Sequence, residues 1–209
     1  MLIEKEWRDG VIKTAREYAD CEWIPTEHNM FHGNDKEGVL VNTPDISYSS
    51  EIYRCGWWRL NKKNIGMAYN WGGNSTIKEF KEGIANGKYG GNVPDFRSNP
   101  ISKECVGVDC SGLLSRCWQL PKKLATRDIA NISDRLSDVS LLQQGDILLL
   151  PGKHVMIFIE FVDEDIVKII DCTRTTGKVM EREVSMEALT NMGYWGYSIN
   201  FDQVKIILH

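Results

Sequence analysis

Cys110 is the residue of this sequence whose surroundings best suit nucleophilic chemistry. It lies in Asp109-Cys110-Ser111-Gly112, where a loop rich in glycine and asparagine meets a segment whose apolar spacing predicts a helix. The free N–H groups and the positive dipole end of a helix start stabilise a thiolate over a thiol. The same N–H groups can hold an oxyanion. The alternative is a buried structural thiol, the usual state of a free cysteine.

A nucleophilic cysteine needs a base, and the chain has four histidines. His28 and His32 lie in a region rich in loop-forming residues, and His209 is the last residue. His154 begins an apolar segment that predicts a strand. We therefore expect His154 to be the base.

The base in turn needs a group that orients it, and Asp171 is the first candidate. It ends the next predicted strand, Ile166–Ile170, so two adjacent antiparallel strands can present His154 and Asp171 side by side. Glu160 is the nearest rival carboxylate. An aspartate at a strand end is also common in turns, which is the alternative reading of Asp171.

Three helices are predicted in the first 120 residues. Residues 4–19 carry one apolar stripe, which is typical of an amphipathic helix. Thr76 and Glu79 form a capping box that predicts a short helix ending near Gly83. Residues 110–120 predict a helix that Pro121 terminates. Between these helices, Thr26–Ser50 has no sustained periodicity and is predicted to be a long surface loop.

Strands dominate the pattern after residue 140. Tight turns separate three apolar segments that predict an antiparallel meander: Ile147–Leu150, Val155–Phe161 and Ile166–Ile170. Residues 178–184 alternate like a further strand, and Tyr197–Leu208 adds a strand pair at most. Helices followed by an antiparallel sheet predict the α+β class.

The composition excludes several function classes. The chain has 209 residues, 42% hydrophobic and 26% charged, which is typical of a globular protein. With a net charge of −4 and no dense Lys/Arg block, a nucleic-acid partner is not expected. Apolar runs are too short for a membrane span. The amino end lacks a signal-peptide pattern, so we expect a cytoplasmic protein, or a secreted or cell-wall protein if a leader was removed.

Other residues of the sequence suggest a metal site or a glycan site as alternatives. The six cysteines include no Cys-x-x-Cys pair, so a zinc or redox motif has little support. His28 and His32 have the spacing of two metal ligands on a helix, but the residues around them favour a solvated loop. We therefore expect no metal and no organic cofactor. Trp57 and Trp58 could form a stacking platform for sugar rings or belong to the core.

Three motifs, in this order along the chain, resemble the NlpC-type family of cell-wall cysteine peptidases. They are Tyr69-x-Trp71-Gly72-Gly73, Asp109-Cys110-Ser111-Gly112-Leu113, and Gly145-Asp146 followed by His154-Val155. The resemblance covers residues 64–173 and implies a papain-like α+β fold, with the nucleophile at a helix N-terminus packed on an antiparallel sheet. It implies a single domain over 1–209, in which 1–63 is an N-terminal helical and loop extension. Residues 64–209 are then the catalytic core, with a long insertion at 74–108.

The resemblance also implies roles for individual residues. Cys110 is the nucleophile, His154 is general base and then acid, and Asp171 orients the imidazole. The implied substrate-binding residues are Tyr69, Trp71, Asp109 and Ser111. In this scheme the Tyr69 phenol faces the oxyanion or the substrate, and the Asp109 carboxylate suits the free amino end of the substrate.

The implied reaction is hydrolysis of an amide in a peptidoglycan-derived peptide, between γ-D-glutamate and a diamino acid, through an acyl-enzyme. The expected partner is thus a small muropeptide or stem peptide. The chain departs from the family in the insertion at 74–108 and in Asp171, where the family most often has a histidine. Two alternatives stay open: an acyltransferase or transpeptidase with the same triad, and a non-catalytic module that binds wall peptides. The sequence does not indicate the oligomeric state.

Overall fold

The computed structural model describes residues 2–49, 56–96 and 98–203, with side chains from residue 4 onward. The helices in these ranges are α1 (Leu2–Ala19), α2 (Ile77–Ala85), α3 (Cys110–Cys117), α4 (Thr126–Ile129) and α5 (Met186–Asn191). The strands are β1 (Glu22–Trp23), β2 (His32–Asn34), β3 (Leu40–Asn42), β4 (Asn64–Ile65), β5 (Tyr89–Gly90), β6 (Cys105–Val106), β7 (Ser133–Arg135), β8 (Ile147–Leu150), β9 (His154–Phe161), β10 (Ile166–Cys172), β11 (Val179–Ser185) and β12 (Trp195–Ile199). None of the described helices is long and apolar enough to cross a lipid bilayer. Helices together with a six-stranded antiparallel sheet are compatible with the predicted α+β class.

The chain divides into two compact units. The described part of the first unit comprises residues 2–17, 110–171 and 181–203, and that of the second comprises 18–49, 56–96, 98–109 and 172–180. Cys110, His154 and Asp171 all belong to the first unit. The two units therefore share the chain in alternating segments, and α1 begins in the unit that carries the candidate nucleophile.

The first unit is built on a six-stranded sheet with the strand order β11-β10-β9-β8-β12-β7. β8, β9 and β10 are consecutive antiparallel neighbours, which confirms the predicted meander. β12 lies between β8 and β7 and pairs with both. The prediction of strand over Tyr197–Leu208 holds only for the residues of β12, and residues 204–208 lie outside the described residues.

Apolar side chains from β8, β9, β10 and α5, and from the segments that precede β8 and β12, form one core of this unit. Its buried members are Leu142, Leu148, Met156, Phe158, Val167, Ile169, Met186, Leu189 and Tyr194. Burial of this kind stabilises a fold by about 25 cal/mol for each Å² of apolar surface removed from water. α3 packs against β9, with Leu113, Leu114 and Cys117 buried. The strand that begins with His154 is thus held by packed neighbours.

α1 is hydrogen-bonded to the turn that precedes β8. The Arg8 guanidinium donates to Asp146 Oδ1 at 2.7 Å and to the Gln144 carbonyl at 2.9 Å. Asp146 is only 1% exposed, and its second oxygen accepts the Gln143 N–H at 2.9 Å. Because a buried carboxylate needs partners, this arrangement fixes the Gly145-Asp146 turn.

The second unit consists of short strand pairs and α2. β1 pairs with β4, β2 with β3 and β5 with β6. α2 begins at the predicted capping box, in which the Thr76 hydroxyl accepts the Glu79 N–H at 3.1 Å and the Glu79 carboxylate accepts the Thr76 N–H at 2.7 Å. Four aromatic rings meet edge to face near β1: Trp23, Trp57, Trp58 and Phe80.

The predicted surface loop over Thr26–Ser50 is wrong for much of its length. Residues 26–49 contain the β2–β3 pair, and Val41, Thr43 and Asp45 are at most 1% exposed. The Thr43 hydroxyl donates to Asp45 Oδ2 at 2.7 Å. Polar residues in this segment are buried because they bond to each other, a pattern that composition alone hides.

Candidate active site

Cys110 is the first residue of α3. Its side chain is half-buried, whereas the other four cysteines in the described ranges are buried: Cys21, Cys105, Cys117 and Cys172. Burial raises the pKa of the Cys105 thiol to about 12 and also raises the pKa values of Cys21 and Cys117. Those three thiols are therefore protonated and unreactive at neutral pH, and among the described cysteines Cys110 is the accessible one.

The helix that carries Cys110 is tied to the chain that follows it. The Ser115 hydroxyl donates to the Ser111 carbonyl at 2.7 Å and accepts the Leu124 N–H at 3.1 Å. α3 ends at Cys117, three residues before the predicted end, and Gln119 takes a φ of 53°. Because Gln119 adopts a left-handed backbone conformation, the helix ends before it reaches Pro121.

His154 is the first residue of β9, opposite Leu150 of β8. Its Nε2 atom is 3.0 Å from Asp171 Oδ2, so this nitrogen carries a proton and donates to the carboxylate. The His154 side chain is also hydrogen-bonded to Cys110. Since Nε2 faces Asp171, Nδ1 is the nitrogen left for the Cys110 sulfur. The edge-to-face ring of Tyr194, with its centroid at 6.2 Å, forms one wall of the imidazole site.

Asp171, near the end of β10, is held by two partners. Its side chain is fully buried, and Oδ2 accepts both His154 Nε2 at 3.0 Å and Arg182 Nη2 at 2.8 Å. Arg182 Nε donates to Oδ1 at 3.0 Å. Burial tends to raise the pKa of Asp171, but the hydrogen bonds from His154 and Arg182 outweigh it, so the pKa is lowered. The carboxylate is therefore anionic at neutral pH.

The electrostatics of the site favour a charged imidazole. Burial lowers the pKa of His154, but the negative charge of Cys110 and the hydrogen bonds to Asp171 and Cys110 together raise it from 6.5 to about 10. An imidazolium is thus paired with the Cys110 side chain at neutral pH. Such a pair supplies a nucleophile and, on the same imidazole, a proton for a leaving group.

The structure brings together three of the predicted site residues: Cys110, His154 and Asp171. Glu160, the alternative carboxylate, lies opposite Lys168 and accepts a hydrogen bond from its ammonium group at 2.6 Å. Asp171 is therefore the carboxylate that contacts the imidazole.

The predicted substrate-binding residues lie as follows. Ser111 is buried in the first turn of α3, in the first unit. The other three belong to the second unit. Tyr69 is 4% exposed, Trp71 donates its indole N–H to the Asn99 carbonyl at 2.9 Å, and the Asp109 carboxylate accepts the Gly72 N–H at 3.0 Å. Their roles in binding substrate stay predictions.

The candidate metal-binding and sugar-binding residues make contacts that differ from those of a metal or sugar site. His28 lies in a short 3-10 turn, and His32 Nε2 contacts Asp45 Oδ2 at 2.8 Å in the β2 segment. Within the described residues, no three His, Cys, Asp or Glu side chains converge as metal ligands. Trp58 is completely buried, as the core alternative predicts, and the Lys178 ammonium lies 4.7 Å from the centre of the Trp57 ring.

Sequence reasoning missed Arg182. The alternation over residues 178–184 puts Met180, Arg182 and Val184 on one side of the predicted strand. A basic residue on the more apolar side of a strand is a signal that a buried anion lies nearby. The sequence does not say which strand lies beside residues 178–184, so this signal alone does not identify Asp171 as the partner of Arg182.

Comparisons of the chain with family models, with curated proteins and with solved structures found no match. The geometry of the residues is therefore the basis for a functional proposal.

Proposed function

We propose that this protein is a cysteine peptidase or amidase that hydrolyses an amide bond through an acyl-enzyme. The observation that carries the proposal is the chain of contacts from Cys110 to His154 to Asp171, with Cys110 at the start of a helix. These three groups match the roles of nucleophile, base and orienting carboxylate.

The chemistry follows from the positions of the protons. The Cys110 thiolate attacks the carbonyl carbon, and the positive dipole end of α3 is suited to stabilise the oxyanion. The proton held by His154 passes to the leaving amine, which departs and leaves a thioester on Cys110. His154 then takes a proton from water, and the hydroxide attacks the thioester. The carbon–sulfur bond breaks, the carboxylic acid leaves, and the imidazolium and the thiolate are restored.

The fold and the substrate class belong to the same proposal. A nucleophile-bearing helix packed on the strand that carries the histidine is compatible with a papain-like arrangement. The order of the motifs around Tyr69, Cys110 and His154 supports the NlpC-type resemblance. We accordingly propose a peptidoglycan-derived peptide as substrate, cleaved between γ-D-glutamate and a diamino acid.

The test is turnover of a short stem peptide that contains the γ-D-glutamyl bond, followed by mass spectrometry of the products. Wild-type protein should release the free diamino acid end, and Cys110→Ala should release none. Cys105→Ala is the matched control, because it removes a buried thiol whose raised pKa makes it unreactive. Turnover by Cys110→Ala at the wild-type rate would refute the assignment of Cys110 as the nucleophile.

An added amine distinguishes hydrolysis from transfer. A hydrolase gives mainly the free acid, whereas a product that carries the added amine would identify an acyltransferase or transpeptidase. Binding of the peptide without any turnover between pH 5 and 10 would instead identify a binding module and overturn the proposal.

A further inference from the structure

Arg182 makes contacts with the candidate site that the three-residue mechanism does not use. It lies on β11, next to β10 in the sheet, and two of its nitrogens bind the two oxygens of Asp171. The Asp171 side chain has no exposed surface, while that of Arg182 is 29% exposed. This paired geometry fixes the orientation of the carboxylate as well as its charge.

The reaction explains why Asp171 needs a second partner. His154 alternates between an imidazolium and a neutral imidazole, so its charge compensates Asp171 for only part of the cycle. A buried carboxylate that loses its compensating charge takes up a proton. If Asp171 took the proton, the leaving amine would lose its acid, and the imidazole would lose the acceptor that orients it.

We propose that Arg182 is a positioning residue that keeps Asp171 ionised and fixed while His154 cycles between its charged and neutral forms. The inference rests on the proposed function, since it assigns Arg182 to that reaction. Arg182 acts through Asp171 and touches neither the sulfur nor the scissile bond. Its effect is therefore on the availability of the His154 proton.

Charged and titratable groups face this centre from five segments of the first unit. Cys110 comes from α3, His154 from β9, Asp171 from β10 and Arg182 from β11. Tyr194, just before β12, borders the imidazole and interacts electrostatically with Arg182. Of the two cations, only His154 gains and loses a proton in the proposed reaction, so Arg182 is the constant positive charge of the group.

The residue beside Arg182 offers a matched control. Glu181 is also on β11, and its carboxylate accepts Arg16 Nε at 3.0 Å. Both side chains are partly exposed to solvent, so this ion pair contributes little to stability. Glu181→Gln thus removes an ion pair from the same strand without touching Asp171.

The experiment compares Arg182→Gln, Arg182→Lys and Glu181→Gln with wild type in two assays over pH 4–10. The first is the rate of Cys110 alkylation by iodoacetamide, followed by intact mass, which needs no peptide. The second is turnover of the γ-D-glutamyl peptide. Far-ultraviolet circular dichroism checks that each variant is folded.

In Arg182→Gln, Asp171 should protonate at higher pH. The acid-side loss of alkylation should therefore move to higher pH by about one unit, and kcat should fall about 10–100-fold, as for other outer partners of a catalytic group, with KM changed much less. Arg182→Lys keeps the charge but loses the paired geometry, so it should restore most of the pH profile and only part of kcat. Glu181→Gln should match wild type.

A folded Arg182→Gln variant with the wild-type pH profile would overturn the inference. An Arg182→Lys variant that restores neither the pH profile nor any part of kcat would also overturn it. Failure of the proposed function looks different. In that case wild type cleaves no peptide, while the alkylation profiles still report whether Arg182 controls the pairing of Cys110 with His154.

Discussion

Replacing Cys110 by alanine should change the titration of His154, because the sulfur is the main source of the charge that keeps the imidazole protonated. The pKa of His154 is raised from 6.5 to about 10, against an opposing effect of burial. At about 1.36 kcal/mol for each pKa unit, this corresponds to roughly 5 kcal/mol in favour of the imidazolium. The negative charge of Cys110 is the largest favourable cause.

Without that charge, only the interaction with Asp171 raises the pKa of His154, and burial still lowers it. We expect the pKa of His154 in Cys110→Ala to fall by at least about one unit, or roughly 1.4 kcal/mol. The sign for stability follows from the raised value. Protonation of His154 stabilises the folded state fully below about pH 6.5, and this contribution is lost as the pH rises through about 10. In Cys110→Ala the loss should come at lower pH.

The measurement is a nuclear magnetic resonance titration of the imidazole, assigned by its absence in His154→Ala. Cys105→Ala serves as the control, because it removes a thiol from the second unit. The reasoning is refuted if His154 titrates at the same pH in Cys110→Ala as in wild type. It is equally refuted if Cys105→Ala lowers the His154 pKa as much as Cys110→Ala does.

Three further predictions concern the site and its supports. Asp171→Asn should lower kcat by about 10²–10⁴-fold, since a neutral amide stabilises the imidazolium poorly, and steady-state kinetics with wild-type rates would contradict this. Arg8→Ala leaves Asp146 buried without its cation, and urea unfolding should show a loss of about 3 kcal/mol; a loss below about 0.5 would show that the ion pair is dispensable. Gly91→Ala should lower the thermal midpoint more than Gly38→Ala, because both have positive φ but only at Gly91 would Cβ meet rigid backbone, at the Tyr69 carbonyl oxygen. Equal midpoints would refute that packing argument.

Local patterns accounted for much of the fold. The capping box at Thr76 predicted the start of α2, and the helix over residues 4–19 corresponds to α1. The turns around Gly145 and Pro151 predicted where β8 begins and ends. These features depend on neighbours within a few residues, so a sequence pattern can reveal them.

Pairings between distant segments were not predictable in the same way. β12 enters the sheet between β8 and β7, although β7 precedes β8 in the chain. Residues 26–49 looked like solvated loop because their polar side chains bond to each other inside the unit. Both outcomes depend on which segments meet, and no local pattern states that.

For the candidate site, the sequence by itself determined the candidate nucleophile and base. A cysteine at a helix start and a histidine at a strand start are local features with a direct chemical meaning. Only the tertiary structure decided which carboxylate contacts the imidazole and which cation holds that carboxylate. The register of β9 and β10 sets Glu160 opposite Lys168, and the neighbouring strand β11 brings Arg182 to the buried Asp171. Strand register and burial arise from contacts across the whole sheet, and for that reason they had to be seen in three dimensions.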